Sequence, residues 1–415
     1  MQEYLKLSLI LSTFGLLKET RPSEPFITEF IVKFKNITVE QVNQDIFPIG
    51  TYSYLAQLVV IFLATDLLRY KPLIILLASS GVAIWSMLLW TNSVLSLQIV
   101  EVIYGTFCAT EIAYFSYIYA KTDKQHYQAV TSHTRAAIFI GRFLAAVTAQ
   151  RLVYFGLMDY RQLNYLTLIN LVLALIWAFF IPRVETSLYF NRDKNDGNLP
   201  ETFKHNRMTD AFYLIWMHFK SSYSNKTVLM WSFFYAIAMC FYLQITSYIQ
   251  VLWIEINEEK EGEIFNGDVE AILTLLGALA TIFAGKIQIN FLKKQKQRLL
   301  VLIVMSSLQG CFVLLAATST TLISCYAFYI SFGVAYAFSI TICATEIAKN
   351  LADDTYGLIF GFNTLVALTV QTIVTLSVVS NGFMLPPSGQ YQIYGYSYLA
   401  LAAVYLLILT FNIIK

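Results

Sequence analysis

The sequence predicts an all-α polytopic membrane protein with about twelve transmembrane helices arranged in two six-helix halves. Three observations carry this reading. Apolar stretches long enough to cross a bilayer recur down the whole chain. Charged residues fill only 13% of the 415 positions and the mean hydropathy is +0.59, whereas a soluble domain is about a quarter charged. The longest polar stretch, residues 183–227, falls near the middle.

A hydrocarbon core of about 30 Å takes about 20 apolar helical residues. The first half supplies such stretches near 4–18, 48–68, 72–91, 96–120, 132–157 and 163–182. The opening MQEYLKLSLILSTFGLL has no small-residue cleavage site and reads as a first span, not a cleaved leader. The second half supplies 228–255, 266–290, 299–317, 321–345, 356–380 and 393–414. The expected organisation is therefore 1–182, a cytoplasmic linker at 183–227, and 228–415.

Basic residues collect on the cytoplasmic side, so their loop counts set the orientation. With the N-terminus inside, cytoplasmic segments hold about 20 of the 28 lysines and arginines. They include Arg69, Lys71, Lys121, Lys124, the linker residues Arg183, Arg192, Lys194, Lys204, Arg207, Lys220 and Lys226, and the run Lys293, Lys294, Lys296 and Arg298. The other face holds Lys18, Arg21, Lys33, Lys35, Arg151, Arg161 and Lys260. Both termini then lie in the cytoplasm, and Asn36-Ile37-Thr38 becomes a glycosylation sequon in the first outward loop.

Six spans, a long cytoplasmic linker and six spans is the layout of the major facilitator fold, whose halves rock about a central site. Asp66-x-x-Arg69-Tyr70-Lys71 resembles the charged turn of that fold, without its usual glycines. Cys108-Ala-Thr-Glu-Ile-Ala113 also recurs as Cys343-Ala-Thr-Glu-Ile-Ala348, in the fourth and tenth spans.

Other classes are set aside on composition. A net charge of +2 with scattered basic residues is no nucleic-acid footprint. There is no Gly-rich phosphate loop, and His126, His133, His205 and His218 have no metal-ligand spacing. The five cysteines lie in apolar stretches and read as small buried hydrophobes. No nucleophile and base cluster together, so the chain reads as a carrier and not an enzyme, working in the lipid bilayer with no cofactor.

Ionisable side chains inside spans carry the functional signal, because each costs several kcal/mol at the bilayer centre unless it faces the bundle interior or a water-filled cavity. Glu111 lies in the fourth span, and Tyr114, three residues on, points the same way on a helix. A carboxylate beside a ring suits an organic cation; the competing reading is a packing ion pair. Arg142 sits mid-span in the fifth helix, too deep to reach either surface. It either pairs with Glu111 or meets an anionic part of a substrate. Asp268 and Glu270, beside Asn266, form either a helix start stabilised by the dipole or part of a site.

A further set of motifs runs along the chain: Arg21-Pro-Ser-Glu-Pro-Phe26, Phe47-Pro48, Thr51-Tyr-Ser-Tyr-Leu55, Thr65-Asp66 with Arg69-Tyr-Lys-Pro72, Ala113-Tyr114 with Ser116-Tyr117-Ile118-Tyr119, His126-Tyr127-Gln128, Thr134-Arg135, Asn266-Gly267 with Val269-Glu270-Ala271, and Tyr356-Gly357 leading to Gly361 and Asn363-Thr364-Leu365. Together they resemble the reduced folate carrier and thiamine transporter family. The resemblance implies a major facilitator fold, a plasma-membrane location and uptake of a water-soluble B vitamin. Glu111 and Gln371 match the thiamine branch, where folate carriers have arginine and lysine. The thiamine branch's site, carried onto this chain, implies Glu24 and Glu111 as anionic partners, Tyr114 as an aromatic contact and Asn266 as a hydrogen-bonding group. Two positions depart from that branch: Gly50 stands for a stacking tryptophan and Arg142 for a tyrosine. Reduced folate transport and a transport-inactive vitamin-binding membrane protein are the alternatives.

Overall fold

The computed structural model describes residues 3–122, 126–184, 207–257, 264–291, 295–351 and 355–414. Lys124, Arg192, Lys194, Lys204, His205, Lys260, Lys293 and Lys294 lie outside these residues. Among the described residues there is no strand. In the first half the long helices are α1 (Glu3–Glu19), α2 (Phe47–Leu67), α3 (Lys71–Trp90), α4 (Val94–Lys121), α5 (Tyr127–Tyr154) and α6 (Tyr160–Ala178). A linker helix α7 (Arg207–Tyr223) precedes α8 (Lys226–Asn257), α9 (Asn266–Phe291), α10 (Gln295–Ala317), α11 (Leu322–Ala348), α12 (Tyr356–Val374) and α13 (Pro387–Ile414).

Local chemistry sets several of the helix starts. Pro48 and Pro72 sit in the first turns of α2 and α3, where a missing N–H leaves no hydrogen bond unmade. Ser93 and Asp159 cap α4 and α6 in reciprocal boxes with Ser96 and Gln162. Among the described residues eleven helices, all but α1 and α7, are long and apolar enough to cross a membrane. The protein is thus a polytopic helical membrane protein. The expected first span, α1, has 17 residues, about 26 Å at 1.5 Å per residue, and packs against α5 and α6.

Two segments depart from the expected loops. Residues 24–46 wind into short helical turns whose Phe26, Phe30, Ile31, Val42 and Ile46 are buried. The helix α7 forms within the polar linker and docks on α12: the Phe219 and Phe362 rings lie 4.7 Å apart, and the Tyr223 hydroxyl donates to Asn363 Oδ1 at 2.7 Å. The cysteine expectation also needs one correction. Cys240, Cys325 and Cys343 are buried and Cys108 partly so, but Cys311 is exposed, because α10 turns that side of its apolar surface outward.

One apolar core runs from Leu7 to Val184 and a second from Val228 to Tyr405. The halves meet where α2 packs on α12 and α5 on α9. At the second seam a Cβ on Gly267 would fall 2.7 Å from the Ala146 carbonyl oxygen, so only glycine permits this approach. In the α2–α3 turn, Arg69 and Tyr70 take the left-handed φ values of 59° and 67° that the missing glycines would otherwise supply.

Candidate functional site

The polypeptide between α1 and α2 brings a set of charges into the bundle. Lys18, in the last turn of α1, is fully buried. Its ammonium binds Glu19 Oε1 at 2.6 Å and Glu111 Oε1 of α4. The rings of Phe107 and Tyr114 lie 5.6 and 5.9 Å from it, which adds a weak attraction from their faces. Glu19, also buried, receives Arg142 Nε of α5 at 2.7 Å and Arg21 Nη2 at 3.1 Å. Arg21 Nη1 holds Glu24 Oε1 at 3.2 Å. Three cations and three carboxylates form one connected cluster, and each carboxylate already has a protein partner.

Water reaches only part of this cluster. The side chains of Arg142, Glu24 and Glu111 are 47%, 43% and 33% exposed, while Lys18 and Glu19 are closed off. Arg142 lies in the middle of a 28-residue helix and leans toward α1, so its exposure marks a water-accessible space inside the bundle. The second half contributes Tyr242 and Glu270, which lie within electrostatic reach of Arg142. Glu24 reaches Glu270 in the same way, and Tyr329 donates its hydroxyl to Glu270 Oε1 at 3.1 Å. Tyr242 stacks face to face on Tyr336, with centroids 3.8 Å apart.

The end of the bundle opposite the linker is clasped shut. Thr28 N–H donates to Gln250 Oε1 at 3.0 Å, and Gln250 Nε2 donates to the Glu24 carbonyl at 2.9 Å. Asn266 Nδ2 donates to the Pro25 carbonyl (3.1 Å) and to Glu29 Oε1 (2.8 Å), and its own oxygen accepts from Tyr326 at 2.6 Å. Gln150 bonds Gly267 N–H and the Ile264 carbonyl, and Arg151 meets Asp268 at 2.5 Å. Glu29 lies in the segment between α1 and α2, and burial pushes its carboxyl up to about 7 against the opposing pull of Asn266 and Lys33.

The model of the reduced folate carrier family matches residues 2–393. The chain belongs to the reduced folate carrier family. Relatives include thiamine transporter 1 of Mus musculus, 35% identical over 96% of this chain and 88% of its own length. Thiamine transporter 2 of Homo sapiens is 32% identical over 96% and 89%, and folate transporter 1 of Caenorhabditis elegans is 33% identical over 95% and 89%. Among solved structures, the chain is similar to the xylose transporter XylE from E. coli in an inward-open conformation (TM-score 0.63, 14% identity, 97% and 95% covered) and to a POT family transporter (0.66, 12%, 99% and 96%). These likenesses give the major facilitator fold.

In this reduced folate carrier family member, the expected site residues fall into two groups. Glu24, Glu111 and Arg142 come together in the water-exposed cluster. Tyr114 is instead fully buried behind α1, its hydroxyl donating to the Leu11 carbonyl at 2.7 Å, and Asn266 is buried in the clasp with its hydrogen-bonding groups occupied. The Arg142–Glu111 pair is not formed: α1 packs directly on α5 and presents Glu19 to Arg142, while Lys18 takes Glu111. The reading of Asp268 and Glu270 divides between them, since Asp268 joins the clasp and Glu270 faces the interior. Gly50 is buried, and any Cβ there would fall on the Glu101 carboxylate. Sequence reading missed Lys18 and Glu19 because charges at the end of a span are ordinary. The signal was Lys-Glu-Thr-Arg running straight into Pro-Ser-Glu-Pro with no flexible break.

Proposed function

We propose that this protein takes up thiamine or a related organic cation by alternating access, with Glu111 as the substrate's counter-charge and Glu24 as a second anionic partner. The observation that carries it is Glu111 itself: a carboxylate on a membrane-spanning helix, a third exposed to interior water, in a chain resembling thiamine transporters over nearly its whole length. A carboxylate matches a fixed positive charge, and Tyr242, within electrostatic reach of Arg142 and stacked on Tyr336, suits the aromatic remainder. Tyr114 then supports Lys18 from behind, and Asn266 latches the two halves.

In this proposal the protein sits in the plasma membrane with both termini and the linker in the cytoplasm, so the clasp faces outside. Asn36, exposed and in a left-handed turn, is the glycosylation site on that face. Radiolabelled thiamine uptake into cells expressing wild type and Glu111→Gln tests the assignment. The change should lower uptake efficiency by about a hundredfold, the equivalent of one lost charge-assisted contact of about 3 kcal/mol; undiminished uptake sinks the site.

One observation favours a second reading. Arg142 is nearly half exposed although paired, and a cation open to the interior suits the carboxylates of a reduced folate. Competition of uptake by unlabelled folate against unlabelled thiamine decides between the two.

A further inference from the structure

We propose that Lys18 is a tethered counter-cation, holding Glu111 while the carrier is empty, yielding it to a cationic substrate and retaking it when that substrate leaves. The inference rests on the cation-uptake reading for what displaces Lys18. Its structural core, an internal partner for Glu111, does not.

Three observations carry it. The Lys18 ammonium lies between two carboxylates and contacts both, so moving onto Glu19 alone needs no passage through an unpaired state. Glu19 already holds Arg21 and Arg142, so the loss of Lys18 would leave Glu111 as the one carboxylate of the cluster without a partner. Lys18 is fully shielded from water whereas Glu111 is a third exposed, so substrate approaching from the interior meets the carboxylate and not its internal partner. The chemistry then follows. An alternating-access carrier passes through a closed state on every half-cycle, in which the site loses its water. A bare carboxylate strongly disfavours that passage, and a paired one much less. With Lys18 on Glu111 the empty site closes; with substrate on Glu111, Lys18 leans on Glu19 and the loaded site closes as well. Lys18 thereby permits net uptake, not merely exchange of one substrate molecule for another.

The test uses purified full-length protein in nanodiscs, with fluorophores on the two halves and single-molecule energy transfer recorded with no substrate present. Lys18→Met should lengthen the dwell times between open forms by at least about tenfold, and Lys18→Met/Glu111→Gln, which removes both charges, should restore them to within about threefold. Unchanged dwell times in the single variant, or a double variant as slow as the single, overturn the proposal. A second measurement needs only wild type in vesicles: thiamine entry into empty vesicles should be within about threefold of entry into thiamine-loaded ones, and stimulation beyond about tenfold by internal thiamine overturns the proposal. In Lys18→Met the ratio of exchange to net entry should rise at least about tenfold, and an unchanged ratio counts against it. A wild type that carries no thiamine in either mode refutes thiamine as the substrate, and the substrate-free dwell times still decide the role of Lys18.

Discussion

Glu19 is the carboxylate around which the charge cluster is organised, with Lys18, Arg142 and Arg21 at 2.6, 2.7 and 3.1 Å. Removing one partner from a buried network leaves the others uncompensated, which costs about 3–5 kcal/mol. Glu19→Gln leaves three cations facing two carboxylates, and the purified protein should melt measurably lower, with the loss of stability near that range. Glu111 and Arg142 stood out in the sequence as ionisable residues inside apolar spans, where few stay without a partner, whereas Glu24 was named only through the family resemblance. Which cation meets which carboxylate was not legible, since that depends on α1 lying against α5. Gly50 shows the same limit: its meaning comes from Glu101, 51 positions along the chain and directly opposite in space.

At the scale of elements, the spans followed from apolar length and were placed to within six residues at each edge, because a span has to satisfy its backbone internally across the whole hydrocarbon core. Residues 24–46 and the helix α7 escaped, as both are mixed in polarity and fold by packing on helices distant in sequence. The repeated Cys-Ala-Thr-Glu-Ile-Ala likewise has two unlike environments: Glu111 meets Lys18, whereas Glu346 pairs with Lys349 at 2.8 Å. The α2–α3 turn invites a direct experiment. Arg69 is exposed and holds a left-handed conformation that costs an L-residue about 1–2 kcal/mol. Arg69→Gly relieves that strain but adds freedom to the unfolded chain, so a net gain near 1 kcal/mol and a melting point about 1–3 °C higher are expected. An unchanged or lower melting point removes the strain argument.

For the whole molecule, the clasp opposite the linker links folding to pH. Glu29 is buried between the halves with its carboxyl raised to about 7 from an ordinary 4.5. A carboxyl raised on folding binds its proton more tightly in the folded state, so its contribution is fully present below about pH 4.5 and is lost as pH rises through about 7. Wild type should therefore melt higher at about pH 5 than at about pH 8, and Glu29→Gln should narrow that difference; an equal difference in the variant would remove Glu29 from the clasp's pH dependence. The charge cluster has a consequence for the living cell as well. Lys18, Arg21 and Arg142 balance Glu19, Glu24 and Glu111, so the empty N-terminal cluster carries no net charge through the membrane's electric field. Only the loaded half of the cycle then feels the membrane potential, which acts on one charge with about 2.3 kcal/mol per 100 mV. Under the proposed uptake of a cation, an interior-negative voltage pulls substrate inward without hindering the return, and a voltage clamp should then record one elementary charge entering per thiamine carried.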